Sequence, residues 1–200
     1  MTGWAVPQLW KAERAFIIAG GPSVGPERIA KIRGRIIAIK HAVTLRPDAD
    51  ILFWAGHDWH RSNAGLVASH RGEFLVKRKV EESVPGWIKQ VERANPDADG
   101  LSGLASDRRR LGGLCSGGSA LNLAVHLGAA EIVLVGFDFT GRHWCKDHPA
   151  PTATEAQHAR HRASIEKMAA PITALGVAVF NCSPISTLQG FARRDLEEFT

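Results

Sequence analysis

A chain of 200 residues with 44% apolar and 22% charged residues has the composition of a folded globular protein, not of a disordered one. Its net charge of +5 suits anionic partners, but much of the excess sits in two short clusters, Lys77–Lys79 and Arg108–Arg110, which read as solvated surface. No apolar run approaches the roughly 20 residues that cross a bilayer. The N-terminus lacks a basic start followed by an apolar stretch, and the three cysteines lack metal-ligand spacing. The expectation is a cytoplasmic chain with reduced thiols, no membrane partner and no specific nucleic-acid partner, with self-association into a homo-oligomer left open.

The first predicted strand, 15–20 (AFIIAG), runs directly into Gly20, Gly21, Pro22 and Ser23. The dinucleotide fingerprint asks for glycine at its third place, where Pro22 stands, and the triphosphate loop asks for a lysine where Pro26 and Glu27 follow Gly25. Neither pattern is met. What remains is the physics beneath both: glycines admit a ligand close to the backbone, and a helix start, here marked by Pro26, presents free N–H groups. The stretch is either an ordinary strand-to-helix turn or a phosphate-holding one.

Further strands are predicted at 35–40, 50–56, 73–78, 131–138 and 177–182, several of them continuous apolar runs of the kind buried on both faces of a parallel sheet. Helical spacing predicts a helix over 119–129 and a long one over about 153–175, which Pro171 kinks or divides. The Gly-, Asp- and Ser-rich stretch 95–113 reads as a long loop. Strands alternating with helices give the α/β class: a Rossmann-like three-layer sandwich with a mostly parallel central sheet. It is read as a single domain over 1–200, with the core at about 15–182 and the tail 183–200 packing on it.

In such sheets ligands sit beyond the carboxyl ends of the strands. The residues expected there are Gly20, Gly21, Pro22 and Ser23, then Lys40 and His41, then Asp58, then Ser116, Gly117 and Ser119 at a helix start, and finally Asp138, Arg142, His143, Asp147 and His148. A nucleotide phosphate is placed between the 20–23 turn and the 116–119 helix start, so a bulky residue at Gly21 is expected to abolish binding and spare the fold.

The segments FIIAGGPSV, IIAIK with PDADILFWAGHDWH, LCSGGSALNLAVHLGAAEIVLVGFDF, HWCKDHP and VFNCSPISTLQGFARRDLEEF, in this order, resemble a group of short phage and prophage proteins of the MptE-like superfamily. That superfamily includes archaeal 6-hydroxymethylpterin diphosphokinase and the motility accessory factors. More distantly, the chain is similar to family 42 sialyltransferases, with their Gly-Pro-Ser turn and later Ser-Gly helix start. The resemblance implies a Rossmann-like fold binding a nucleotide, with Gly20–Ser23 near its phosphate and Ser116 and Gly117 in the same pocket. The chain departs from it twice: Lys40 and His41 stand where relatives carry Asn, and there is no tyrosine to steady a leaving phosphate.

Nine histidines invite a chemical role. His143 and His148 read as a general base or phosphate contact, as metal ligands, or as plain loop residues, and His158 and His161 as the solvated face of the long helix. Asp138 ends an apolar strand, so its charge needs a partner: a sugar hydroxyl, a base, a divalent cation, or the next helix start. Asp58 is its counterpart after the third strand. Trp54, Trp59 and Trp144 either stack on a ligand or fill the core. Two function classes follow. One is a transferase moving a glycosyl or diphosphoryl group from a nucleotide or nucleotide-sugar donor, with Asp138, His143 and His148 catalytic and Mg2+ required if the donor is a nucleoside triphosphate. The other is a phage protein that binds or sequesters a nucleotide without turnover.

Overall fold

The computed structural model describes residues 3–56, 59–79, 81, 84–140, 142–145 and 153–200. Nine parallel strands form its sheet: β1 (Arg14–Ile18), β2 (Arg35–Ile39), β3 (Ile51–Trp54), β4 (Phe74–Arg78), β5 (Lys89–Arg93), β6 (Arg110–Leu111), β7 (Glu131–Val135), β8 (Ala178–Asn181) and β9 (Ala192–Arg193). Their order across the sheet is β6-β5-β4-β3-β2-β1-β7-β8-β9, every pairing parallel. This is the Rossmann-like α/β fold, and all six predicted strands are present.

Both faces of the central strands are covered, which is why they read as unbroken apolar runs. Ile17, Ile37, Phe53, Val76 and Leu134 face one layer, packing with Leu121, Ala124 and Leu127 of α4 (Ser116–Leu127). Phe16, Ile18, Ile36, Leu52, Trp54 and Val133 face the other, against Ile29 of α1 (Pro26–Ile29), Val43, and Val67 of α3 (Ala64–Ser69), which follows the short α2 (Trp59–Ser62). The three strands the sequence did not announce are peripheral. Of the five residues of β5 only Val91 is buried, and β6 and β9 have two residues each, too few to show a period. β6 therefore lies inside the stretch 95–113 read as loop. The rest of that loop is tied down: Asn122 Oδ1 accepts from the amides of Ala105 (2.9 Å) and Gly112 (2.8 Å), and Lys167 Nζ reaches Asp97 and Asp99 at 2.7 Å each.

The long predicted helix is two: α5 (Glu155–Glu166), opened by a Thr154–Gln157 capping box, and α6 (Ala169–Ala174). Pro171 is the third residue of α6, where its missing N–H is not needed for an intrahelical bond. The cluster at 77–79 is the clearest correction to the surface reading. Lys77 is 0% exposed and bonds Glu81, while Arg78 is 7% exposed. Both are strand residues whose side chains point into the protein, whereas Arg108, Arg109 and Arg110 are exposed. Among the described residues no helix is long and apolar enough to cross a membrane.

Burial also sets a pH limit on stability. His70 and His126 are buried, and loss of hydration holds both below the ordinary histidine pKa of about 6.5. Below that pH the unfolded chain takes up protons that the folded chain refuses. Stability is therefore fully present above about pH 6.5 and falls as the pH drops, by at most about 1.4 kcal/mol per pH unit per histidine. Urea unfolding at pH 7.5, 6.0 and 5.0 should show this loss, and His126→Gln should reduce its slope.

Candidate functional site at the switch point

From β1 the chain builds outward through β2 to β6, then returns to lay β7 on the other side of β1. The strand order reverses there, and the connections diverge to leave a crevice at the carboxyl ends of β1 and β7. A cavity of about 190 Å3 occupies this crevice, lined by Gly20, Gly21, Cys115, Gly117, Phe137, Asp138, Phe139, Arg142, His143, His158 and His161 among others. The sheet topology thus brings together six of the site residues named from sequence: Gly20, Gly21, Gly117, Asp138, Arg142 and His143. Asp58, Asp147 and His148 lie outside the described residues.

The 20–23 turn is organised from within. The amide of Ala19 donates to Val135 O (2.8 Å), that of Gly21 to Gly136 O (2.9 Å), that of Ser23 to Asp138 Oδ2 (2.7 Å) and that of Val24 to Gly21 O (3.2 Å). Pro22 has no N–H, so Gly20 holds the one amide of 19–24 without a hydrogen-bond acceptor among the described residues. Gly21 is glycine because a Cβ there would run into the Asp138 carboxylate and the Gly136 carbonyl. Those atoms are held by the fold, so substitution at Gly21 disturbs the turn itself, against the expectation that the fold would be spared.

Asp138, 1% exposed, is the partner that shapes this turn: besides the Ser23 amide it accepts from the Ser23 hydroxyl at 2.6 Å through Oδ1. Asp138→Ala would strand both Ser23 donors and should cost about 3 kcal/mol. Asp138→Asn should cost less, since the Ser23 hydroxyl can rotate to accept from the new amide. Denaturant unfolding checks this. An alanine variant within about 1 kcal/mol of wild type would mean that the carboxylate is held for a ligand and not for the turn.

The start of α4 closes the crevice from below. Gly117 is packed so closely that a Cβ would lie 2.8 Å from the Phe137 ring. Ser116 Oγ accepts from the Ala55 amide (3.3 Å). Ser119, fully buried, accepts from Arg78 Nη1 (2.8 Å) and donates to Gly112 O (2.8 Å), so its hydroxyl is consumed within the fold. Pro22, Ser23, Lys40, Ser116 and Ser119 do not line this cavity: Ser119 is buried and the other four are half-buried beside it.

Positive charge gathers around Cys115. Arg78 also donates to Gly113 O, and burial, with help from Arg93, pushes its pKa down to about 10. Burial likewise lowers Lys40, and no carboxylate among the described residues offsets it. The Cys115 thiol is raised by burial, with the amides of Gly117 and Gly118 and the charges of Arg78 and Lys40 pulling the other way. Among the described residues lining the cavity, Asp138 is the one acid. No three His, Cys, Asp or Glu side chains among the described residues cluster as metal ligands would.

The sequence placed His158 and His161 on a solvated face; the structure puts both on the cavity wall. The signal was present in the helix register: His158 and His161 precede buried Ile165 by seven and four residues, on the inward stripe of α5. Burial, then the positive charges of His158, Arg160 and Arg78, lower the His161 pKa. His41 lies with its ring 6.4 Å from that of His143. Trp54 is core, and Trp59 and Trp144 pack against the same cluster, so none of the three lines the cavity.

No family model matches the chain, and no curated protein matches it. Among solved structures it is similar to the sialyltransferase CST-II, whose crystal structure was determined with a trisaccharide acceptor and CMP. The TM-score is 0.50 over 90% of this chain and 85% of the other, at 12% sequence identity. The two chains share a fold.

Proposed function

We propose that the protein is a glycosyltransferase that takes a nucleotide-sugar donor in the β1/β7 crevice and passes the sugar to an acceptor hydroxyl. One observation carries the reading: Lys40 and Arg78, both drawn out of water, flank the start of α4 with no carboxylate among the described residues to neutralise them. Unpaired charge in a desolvated site is costly unless a ligand completes it. A phosphate is the complementary charge, and helix-start amides favour it further. The resemblance to the MptE-like and family 42 proteins, and a fold shared with a sialyltransferase, support the same reading.

In the proposed step the bond between the sugar's anomeric carbon and the phosphate oxygen breaks as the acceptor oxygen bonds that carbon. The electron pair leaves on the phosphate, where the Gly20 amide, Lys40, Arg78 and the start of α4 stabilise it in place of the tyrosines the chain lacks. The proton of the acceptor hydroxyl goes to a histidine. His143 and His148 are the candidates from sequence, and the cavity wall adds His158 and His161. Among these His161 is assigned, because burial lowers its pKa and so favours the neutral imidazole that can accept. Asp138 is a positioning residue that shapes the turn. Diphosphoryl transfer with Mg2+ is less well supported: among the described residues the crevice offers one carboxylate, and both its oxygens already bond Ser23.

Calorimetry against nucleoside mono- and diphosphates, followed by assay of nucleotide-sugar hydrolysis, tests the proposal. Binding in the micromolar range with slow release of free sugar is expected. Binding with no turnover of any donor would leave the nucleotide-sequestering reading, and absence of binding would remove both.

A further inference from the structure

Resting on the donor site just proposed, we infer that the segment 142–145 is an internal plug: in the free protein His143 fills the seat of the donor phosphate and must leave before the donor binds. Three observations meet at Gly20. Its amide is the one of the turn with no acceptor among the described residues. The space that its missing side chain leaves is taken by the His143 imidazole, and a Cβ on residue 20 would overlap Nε2. Its carbonyl accepts from the Trp144 amide at 3.1 Å, which fixes the segment on the turn.

The imidazole is also aimed. His143 Nδ1 accepts from the Cys145 amide at 3.1 Å, so the neutral ring carries its proton on Nε2, the atom turned toward Gly20. A small ring N–H thus fills the space beside the Gly20 Cα, on the wall of the crevice along which a donor phosphate would approach the turn. Ring and phosphate cannot occupy that space together. Ligand binding and the Gly20–Trp144 contact are then mutually exclusive, and the measured affinity is the intrinsic one reduced by the fraction of molecules with the segment released. The exchange also has a use. A site that opens only for a competing anion keeps water and weaker ligands off the Gly20 amide until a donor arrives.

The test uses the full chain with inorganic pyrophosphate and the nucleoside diphosphates as probes. His143→Ala should bind about tenfold tighter or more than wild type, as expected when the open state is a minor population of 10% or less. Hydrogen exchange at the Trp144 amide should speed up when wild type binds the probe. Gly20→Ala should speed that exchange without any ligand, because the methyl group expels the ring, yet bind poorly because it fills the same seat. His143→Asn repeats the measurement should the alanine variant alter folding. Weaker or unchanged binding by the His143 variants, or a Trp144 amide that becomes more protected with ligand, overturns the plug and leaves the donor site standing. No binding by any of the chains overturns both.

Discussion

Lys40→Met should make the free protein more stable while weakening nucleotide binding by roughly ten- to a hundredfold. Lys40 follows β2 with a left-handed backbone, φ 53°, and a side chain whose pKa is lowered by burial. Methionine keeps the length of the chain and removes the desolvated charge. Replacing buried ionic groups with apolar ones of similar volume is often neutral or stabilising by about 1–4 kcal/mol. In the proposed donor site the same charge meets the phosphate, and a charge-assisted hydrogen bond is worth about 1.5–3 kcal/mol, which sets the expected loss of affinity. Urea unfolding and calorimetry on one preparation measure both effects. Lower stability with unchanged affinity would show that Lys40 is a structural residue and would withdraw it from the phosphate site. Lys40→Gly supplies a control, since it relieves the left-handed backbone as well, which costs an L-residue about 1–2 kcal/mol.

The second large effect is on rate. His161→Ala should lower kcat by about 100-fold or more and leave the dissociation constant of the nucleotide within a few-fold, because a general base acts on the acceptor in the transition state and not on the bound donor. The sign of the pH dependence follows from its surroundings. A base must be unprotonated to work, and burial lowers the His161 pKa, so the acid limb of the kcat/KM profile should fall below pH 6.5. That limb should disappear in the variant. His158→Ala removes one of the positive neighbours and should move the limb upward with a smaller loss of rate. A variant at residue 161 with near-normal turnover and an unchanged acid limb would transfer the base to another histidine of the crevice, His143 first.

The sheet was legible where its strands are central. Ile36–Ile39, Ile51–Trp54 and Ile132–Val135 are buried on both faces, and an apolar run of that length between turn residues has few other readings. It was illegible at the margins. β5 (KQVER) buries Val91 and leaves charges on either side, a pattern shared with surface helices and loops. Patterns of charge were misleading for the same reason that apolar ones were helpful. A strand sends alternate residues to opposite faces whatever their charge, and β4 is covered on both, so Lys77 and its neighbour Arg78 are both buried.

At the crevice the division is sharper. The sequence by itself determined the fold class and the strand ends at which the cavity opens, because burial periodicity and glycine-rich turns are local properties of the chain. It also brought Gly20, Gly21, Gly117, Asp138 and His143 into consideration, residues from three separate segments that share the wall of one cavity. Only the tertiary structure decided what each does there. It showed that the amides of Ala19, Gly21 and Ser23 are spent on Val135, Gly136 and Asp138, the last of these 115 residues from Ser23. It turned His158 and His161 inward and set Arg78 and Lys40 beside Cys115. These are pairings between segments distant in the chain. No local pattern encodes which donor meets which acceptor across the sheet; that is fixed when β7 returns to lie against β1.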